Sequence, residues 1–62
     1  MSICTDTFYL KSGSDIQVAI VEMYPIDDLM VVEFKGKTYN LLFNPAYGYY
    51  QGVVNGMDGF LL

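Results

Sequence analysis

The chain has 62 residues, a formal net charge of −4 and a 53% hydrophobic composition, with no His, no Trp and three basic side chains, all Lys. This length makes one domain spanning the chain, with one core, and folding buries only about 60% of the unfolded surface. Disulfide stapling and a structural zinc site are excluded, because Cys4 is the only cysteine and there is no histidine.

So small an interior cannot hold this apolar fraction, so part of it is expected at the surface, where contiguous apolar area marks a binding face. The longest uninterrupted apolar runs, Val18-Ala19-Ile20-Val21 and Leu29-Met30-Val31-Val32, are four residues. A spanning helix needs about 20. The first residues show no basic stretch leading into an apolar segment, and a lone cysteine fits a reducing compartment. The expectation is a cytoplasmic protein with no membrane partner.

In chain order, short segments rich in Val, Ile, Phe, Tyr and Thr alternate with turn signals. Strands are predicted at 7–11, 16–24, 29–35, 37–43 and 49–54, with 60–62 as a short sixth. The turns between them are Ser12-Gly13-Ser14-Asp15, Pro25-Ile26-Asp27-Asp28, Lys35-Gly36-Lys37, Asn44-Pro45-Ala46-Tyr47-Gly48 and Asn55-Gly56-Met57-Asp58-Gly59. No helix of ordinary length fits between these breaks, although a single helical turn is allowed near 44–47.

Segment 16–24 alternates imperfectly. Ile16, Val18 and Ile20 share a face with Glu22, and either a bulge near Ile20–Val21 or a strand bent through both walls of a barrel reconciles the pattern. The middle hairpin is the clearest element. A two-residue loop at Lys35-Gly36 sets Phe34 opposite Lys37, Val32 opposite Tyr39 and Met30 opposite Leu41. That register puts Met30, Val32, Phe34, Tyr39, Leu41 and Phe43 on one face, and Val31, Glu33, Thr38 and Asn40 on the other.

The fold class is therefore all-β: a small five-stranded antiparallel meander, closed as an SH3-like barrel or left as a strongly bent sheet. SH3-like describes shape only. The Ala-Leu-Tyr-Asp-Tyr motif of SH3 domains is absent, as is the Trp of their peptide groove, and a fold does not fix a function.

No catalytic residue is predicted. Histidine, the commonest acid–base group at neutral pH, is missing. Cys4 lies between Ile3 and Thr5, beside Asp6, with no base or positive field in the sequence to make a thiolate. Asp27-Asp28 are consecutive turn residues, not a catalytic dyad. The segment from Asn55 to Gly59 lacks the ligand spacing of a calcium loop, and the glycines sit singly at turns, so neither a metal nor a cofactor is expected. Lys11, Lys35 and Lys37 are outnumbered by seven acids, which argues against nucleic acid. Those acids form no run, which argues against a DNA mimic.

The conspicuous feature is Tyr47-Gly48-Tyr49-Tyr50-Gln51-Gly52, whose tyrosines and glycines have the composition of a binding loop. Tyr supplies contact area at low entropic cost, and the other frequent anchors, Arg and Trp, are absent. Tyr49 and Tyr50 are adjacent in a strand, so only one of them faces outward with Tyr47. Tyr9 and Tyr24 extend the same surface. The expected function is a non-enzymatic protein-binding module, an inhibitor of the kind phages and mobile elements encode, with Tyr47, Tyr49, Tyr50, Tyr24, Asp27 and Asp28 as partner-binding residues. The alternative is a self-associating structural subunit forming a homo-oligomer. A small-ligand or nucleic-acid binder ranks below both.

Overall fold

Two tight turns frame the architecture. Lys35 and Gly36 have φ of 52° and 79°, and Asn55 and Gly56 have φ of 52° and 78°. Positive φ at both central residues is the type I′ geometry, whose twist matches that of paired strands. In the computed structural model, which describes residues 4–62, these turns join strands of a closed barrel with consecutive neighbours hydrogen-bonded from first to last. The strands are β1 (Cys4–Leu10), β2 (Asp15–Tyr24), β3 (Leu29–Phe34), β4 (Lys37–Asn44), β5 (Tyr49–Val54) and β6 (Met57–Leu61). A single 3₁₀ turn, Pro25–Asp27, links β2 to β3.

The all-β barrel, SH3-like in the broad sense, matches the fold class, but it has six strands instead of five. The sixth begins at Met57, because Asn55-Gly56 alone makes the turn and sets Val54 opposite Met57. Residues 57–59, read as turn in the sequence, are strand. The middle hairpin has the predicted register, with Phe34 opposite Lys37, Val32 opposite Tyr39 and Met30 opposite Leu41. The bulge is also where expected. Pairing of β2 with β3 slips between Ile20 and Glu22, leaving Val21 as the extra residue. That slip keeps Val18 and Ile20 on the inner face while Glu22 pairs with Val31 on the outer one, so no carboxylate is buried. The one-turn helix falls at Pro25–Asp27, whereas 45–48 is a hydrogen-bonded turn.

Phe8, Leu10, Val18, Met30, Val32, Leu41, Val54 and Leu61 form the core, with Ile16, Ile20, Phe34, Tyr39, Tyr50 and Met57 packed around it. Each fully buried side chain of this kind contributes roughly 1.5–3 kcal/mol. Closing such short strands requires two inward positions without side chains. Gly52 and Gly59 are paired across β5 and β6. A Cβ on Gly52 would lie 2.7 Å from Leu41 Cδ2, and one on Gly59 would strike the Tyr9 carbonyl and come within 2.6 Å of the Phe8 ring. The glycine pair thus gives Phe8 and Leu41, both 0% exposed, the space to fill the barrel.

A meander places its turns alternately at two ends. The basal end carries the turns 11–14, 35–36 and 55–56, where Lys11 N–H donates to the Asp58 carbonyl at 3.0 Å. The apical end carries 25–28 and 45–48, where Phe43 N–H donates to the Asp28 carbonyl at 2.8 Å. Among the described residues, no helix is long and apolar enough to cross a membrane.

Candidate functional site

Alternation along β1, β5 and β6 decides which rings leave the core. Phe8 and Leu61 point inward, so their neighbours Tyr9 and Phe60 point out, directly opposite each other. Tyr50 pairs with Leu61 on the inner face, which turns Tyr49 outward. The result is a run of four offset-stacked rings across the outside of the barrel. Centroids are 5.7 Å apart for Tyr9 and Phe60, 4.6 Å for Phe60 and Tyr49, and 5.5 Å for Tyr49 and Tyr47.

The β4–β5 turn sets the apical end of that run. The Asn44 side-chain carbonyl accepts from Ala46 N–H at 3.0 Å. The Asn44 backbone carbonyl accepts from Tyr47 N–H at 3.2 Å and from Gly48 N–H at 2.7 Å. Gly48, with φ of 78°, then returns the chain to β5. Tyr47 is thereby held 69% exposed with its ring on Tyr49.

The register extends this surface around the barrel. Tyr9 lies opposite Phe60, Phe60 opposite Gln51, Gln51 opposite Leu42, Leu42 opposite Leu29, and Leu29 opposite Tyr24. Below Leu42 and Gln51 the pairing of β4 with β5 ends. An open depression of about 280 Å³ lies beside it, lined by Lys11, Leu42, Gln51, Gly52, Asp58 and Gly59.

The predicted site residues therefore separate. Tyr47 and Tyr49 face outward together, and Tyr9 joins them through Phe60. Tyr50 takes the inward position, edge-on to Phe43 at 5.2 Å and packed on the core, and so leaves the outer surface. Tyr24 lies on the same outer row, separated from the rings by Leu29, Leu42 and Gln51. Asp27 and Asp28 are exposed at the apical tip, where Asp28 adopts φ of 53° and its N–H donates to the Pro25 carbonyl at 3.3 Å. Phe60 was not anticipated. A two-residue turn at Asn55-Gly56 would have placed it, since counting back from that turn sets Phe60 opposite Gln51.

Charge is divided by the same topology. The basal half holds all three lysines, Lys11, Lys35 and Lys37, against Asp15, Glu33 and Asp58, and is formally neutral. The apical end holds Glu22, Asp27 and Asp28 with no lysine, while Asp6, opposite Val18, lies one row from the Ala19–Glu33 pair. Among the described residues, no three of Cys, Asp and Glu converge as metal ligands. No protein-family model matches the chain, and no curated protein or solved structure is significantly similar to it.

Proposed function

We propose that this protein is a non-enzymatic binding module that acts by occupying the surface of another protein, as small inhibitors encoded by phages and mobile elements do. The observation that carries this reading is the outward stack of Tyr47, Tyr49, Phe60 and Tyr9. The core is complete without these rings. Stacking restricts them before any partner arrives, which lowers the ordering cost of association. Tyr and Phe rings at an interface centre bury large areas, and Tyr adds a hydroxyl that tolerates water.

The test uses a partner captured from the native host and then purified. Tyr47→Ala should weaken binding to it by about 2 kcal/mol or more, measured by calorimetry, while the melting temperature stays nearly unchanged. A large fall in melting temperature with affinity per folded molecule preserved would make Tyr47 a structural residue and overturn the reading.

The second reading, a self-associating subunit, is favoured by the nine large apolar side chains left exposed among the described residues, from Tyr9 to Leu62. It is opposed by the concentration of net charge at the apical end, where most of them lie. Light scattering coupled to size exclusion at micromolar and nanomolar concentrations separates the two: a constant monomer mass removes the second.

A further inference from the structure

From Val21 to Asp28 every residue is exposed, although β2 remains paired with β3 as far as Tyr24. The hairpin runs past the core and ends in a tip braced by backbone hydrogen bonds. Pro25 opens the 3₁₀ turn, Asp28 closes it in the left-handed region, and the Asp28 carbonyl is tied to β4 through Phe43 N–H at 2.8 Å. At the summit Ile26 is 98% exposed, the most exposed large apolar side chain among the described residues. Isolated exposed apolar residues are ordinary. Ile26 is different in being fixed on a braced turn, with Met23 and Tyr24 at 49% and 42% exposure on the same arm.

Charge identifies what fits over it. Asp27 and Asp28 follow Ile26 in the turn, Glu22 stands lower on the same arm opposite Val31, and every lysine is at the opposite end of the barrel. A second copy docking tip to tip would set carboxylate against carboxylate. We propose that the β2–β3 tip is a docking finger for a protein surface bearing an apolar pocket rimmed by Lys or Arg, with Ile26 as the plug and Asp27 and Asp28 as the complement to the rim. This rests on the reading of the protein as a binding module. It places the partner contact on a different element from the ring stack, and the two can fail separately.

The probe is an amphipathic peptide of Lys and Leu, with a Glu/Leu peptide of the same pattern as control, each titrated into isotope-labelled protein and followed by amide and methyl NMR. The Lys/Leu peptide should shift the Ile26 methyl and the 26–28 amide signals. Ile26→Ser, which removes an apolar side chain from the contact while keeping every charge, should weaken it about tenfold. Asp27→Asn with Asp28→Asn, which keeps the apolar tip, should also weaken it about tenfold. Amide dispersion in the same spectra reports that each variant is folded.

Shifts confined to Tyr47, Tyr49 and Phe60, or affinity that follows Tyr47→Ala but not Ile26→Ser, would overturn the finger and leave the ring-stack reading standing. Equal binding of the Glu/Leu peptide, or no shift with either, would overturn the finger as well. So would concentration-dependent broadening of the 26–28 signals without peptide, which would assign the tip to a second copy.

Discussion

The two ends of the barrel follow different rules. At the basal end two of the three turns are type I′, their residues are Lys, Ser, Gly and Asn, and charge balances. At the apical end the turns span 25–28 and 45–48 and carry Ile26 and Tyr47 to the outside, and Asp27 and Asp28, with Glu22 on the strand below, have no lysine among them. Short turns with obligatory backbone geometry set strand register, and they leave little side-chain surface for anything else. The two apical turns, each braced by its own hydrogen bonds, hold side chains that the core does not need. Basal residues should therefore answer to stability and apical residues to binding.

The largest test of that division lies between the ends, at the glycine pair. Gly59→Ala should cost about 3 kcal/mol or more, since the new methyl overlaps the Tyr9 carbonyl and the Phe8 ring and neither can retreat from a filled barrel. Against the roughly 3–9 kcal/mol of total stability ordinary for a domain of this length, that loss is about a third or more. Circular dichroism on heating or urea titration would read it. Full stability in the variant would mean that the barrel interior is looser than its geometry indicates.

Next comes the basal turn. Gly36 has φ of 79°, and a Cβ there meets nothing within 4 Å, so substitution strains the backbone without any clash. Gly36→Val should cost about 1–2 kcal/mol, and Gly36→Asn much less, because Asn tolerates the left-handed region. A valine variant that loses under about 0.5 kcal/mol would show that this turn does not hold the hairpin's register. Either result sharpens the comparison with Tyr47→Ala, which should leave stability nearly untouched at the other end.

How much of this was legible in the sequence follows from the range of each interaction. The Lys35-Gly36 register and the bulge at Val21 were readable, because alternation of apolar residues and turn chemistry act over a few positions. Gly52 and Gly59 were not readable, since a glycine in a strand looks like a glycine in a turn until the Phe8 ring is placed against it. Reading 55–59 as one long turn cut the sixth strand back to 60–62 and left it without a register, so Phe60, the ring that bridges Tyr9 to Tyr49, was not set opposite Tyr9 and Gln51. The tyrosines near 47–50 stood out by composition alone, and alternation correctly allowed only one of Tyr49 and Tyr50 to face outward. The acids misled differently. They look scattered along the chain, but a meander returns every second turn to the same end, which gathers Glu22, Asp27 and Asp28 at one pole.

That pole gives the smallest and most specific prediction. If charge is divided as the topology places it, removing one carboxylate should have opposite effects at the two ends. Glu22→Gln relieves repulsion among the apical acids and should stabilise the fold by about 0.3 kcal/mol at low ionic strength. Asp58→Asn removes a carboxylate from the half that holds all three lysines, and should destabilise by a similar amount, about 0.3 kcal/mol. Both side chains are exposed, so both effects should fade as added salt shortens the screening length to a few ångströms. Urea titrations of the two variants at low and high salt, each against the parent at the same salt, would resolve the sign. A shared sign, or a difference that persists in high salt, would trace the effects to strand propensity or local packing. An opposite sign that vanishes with salt would show that the two ends differ in electrostatic field, the same field a basic partner would meet at the Ile26 tip.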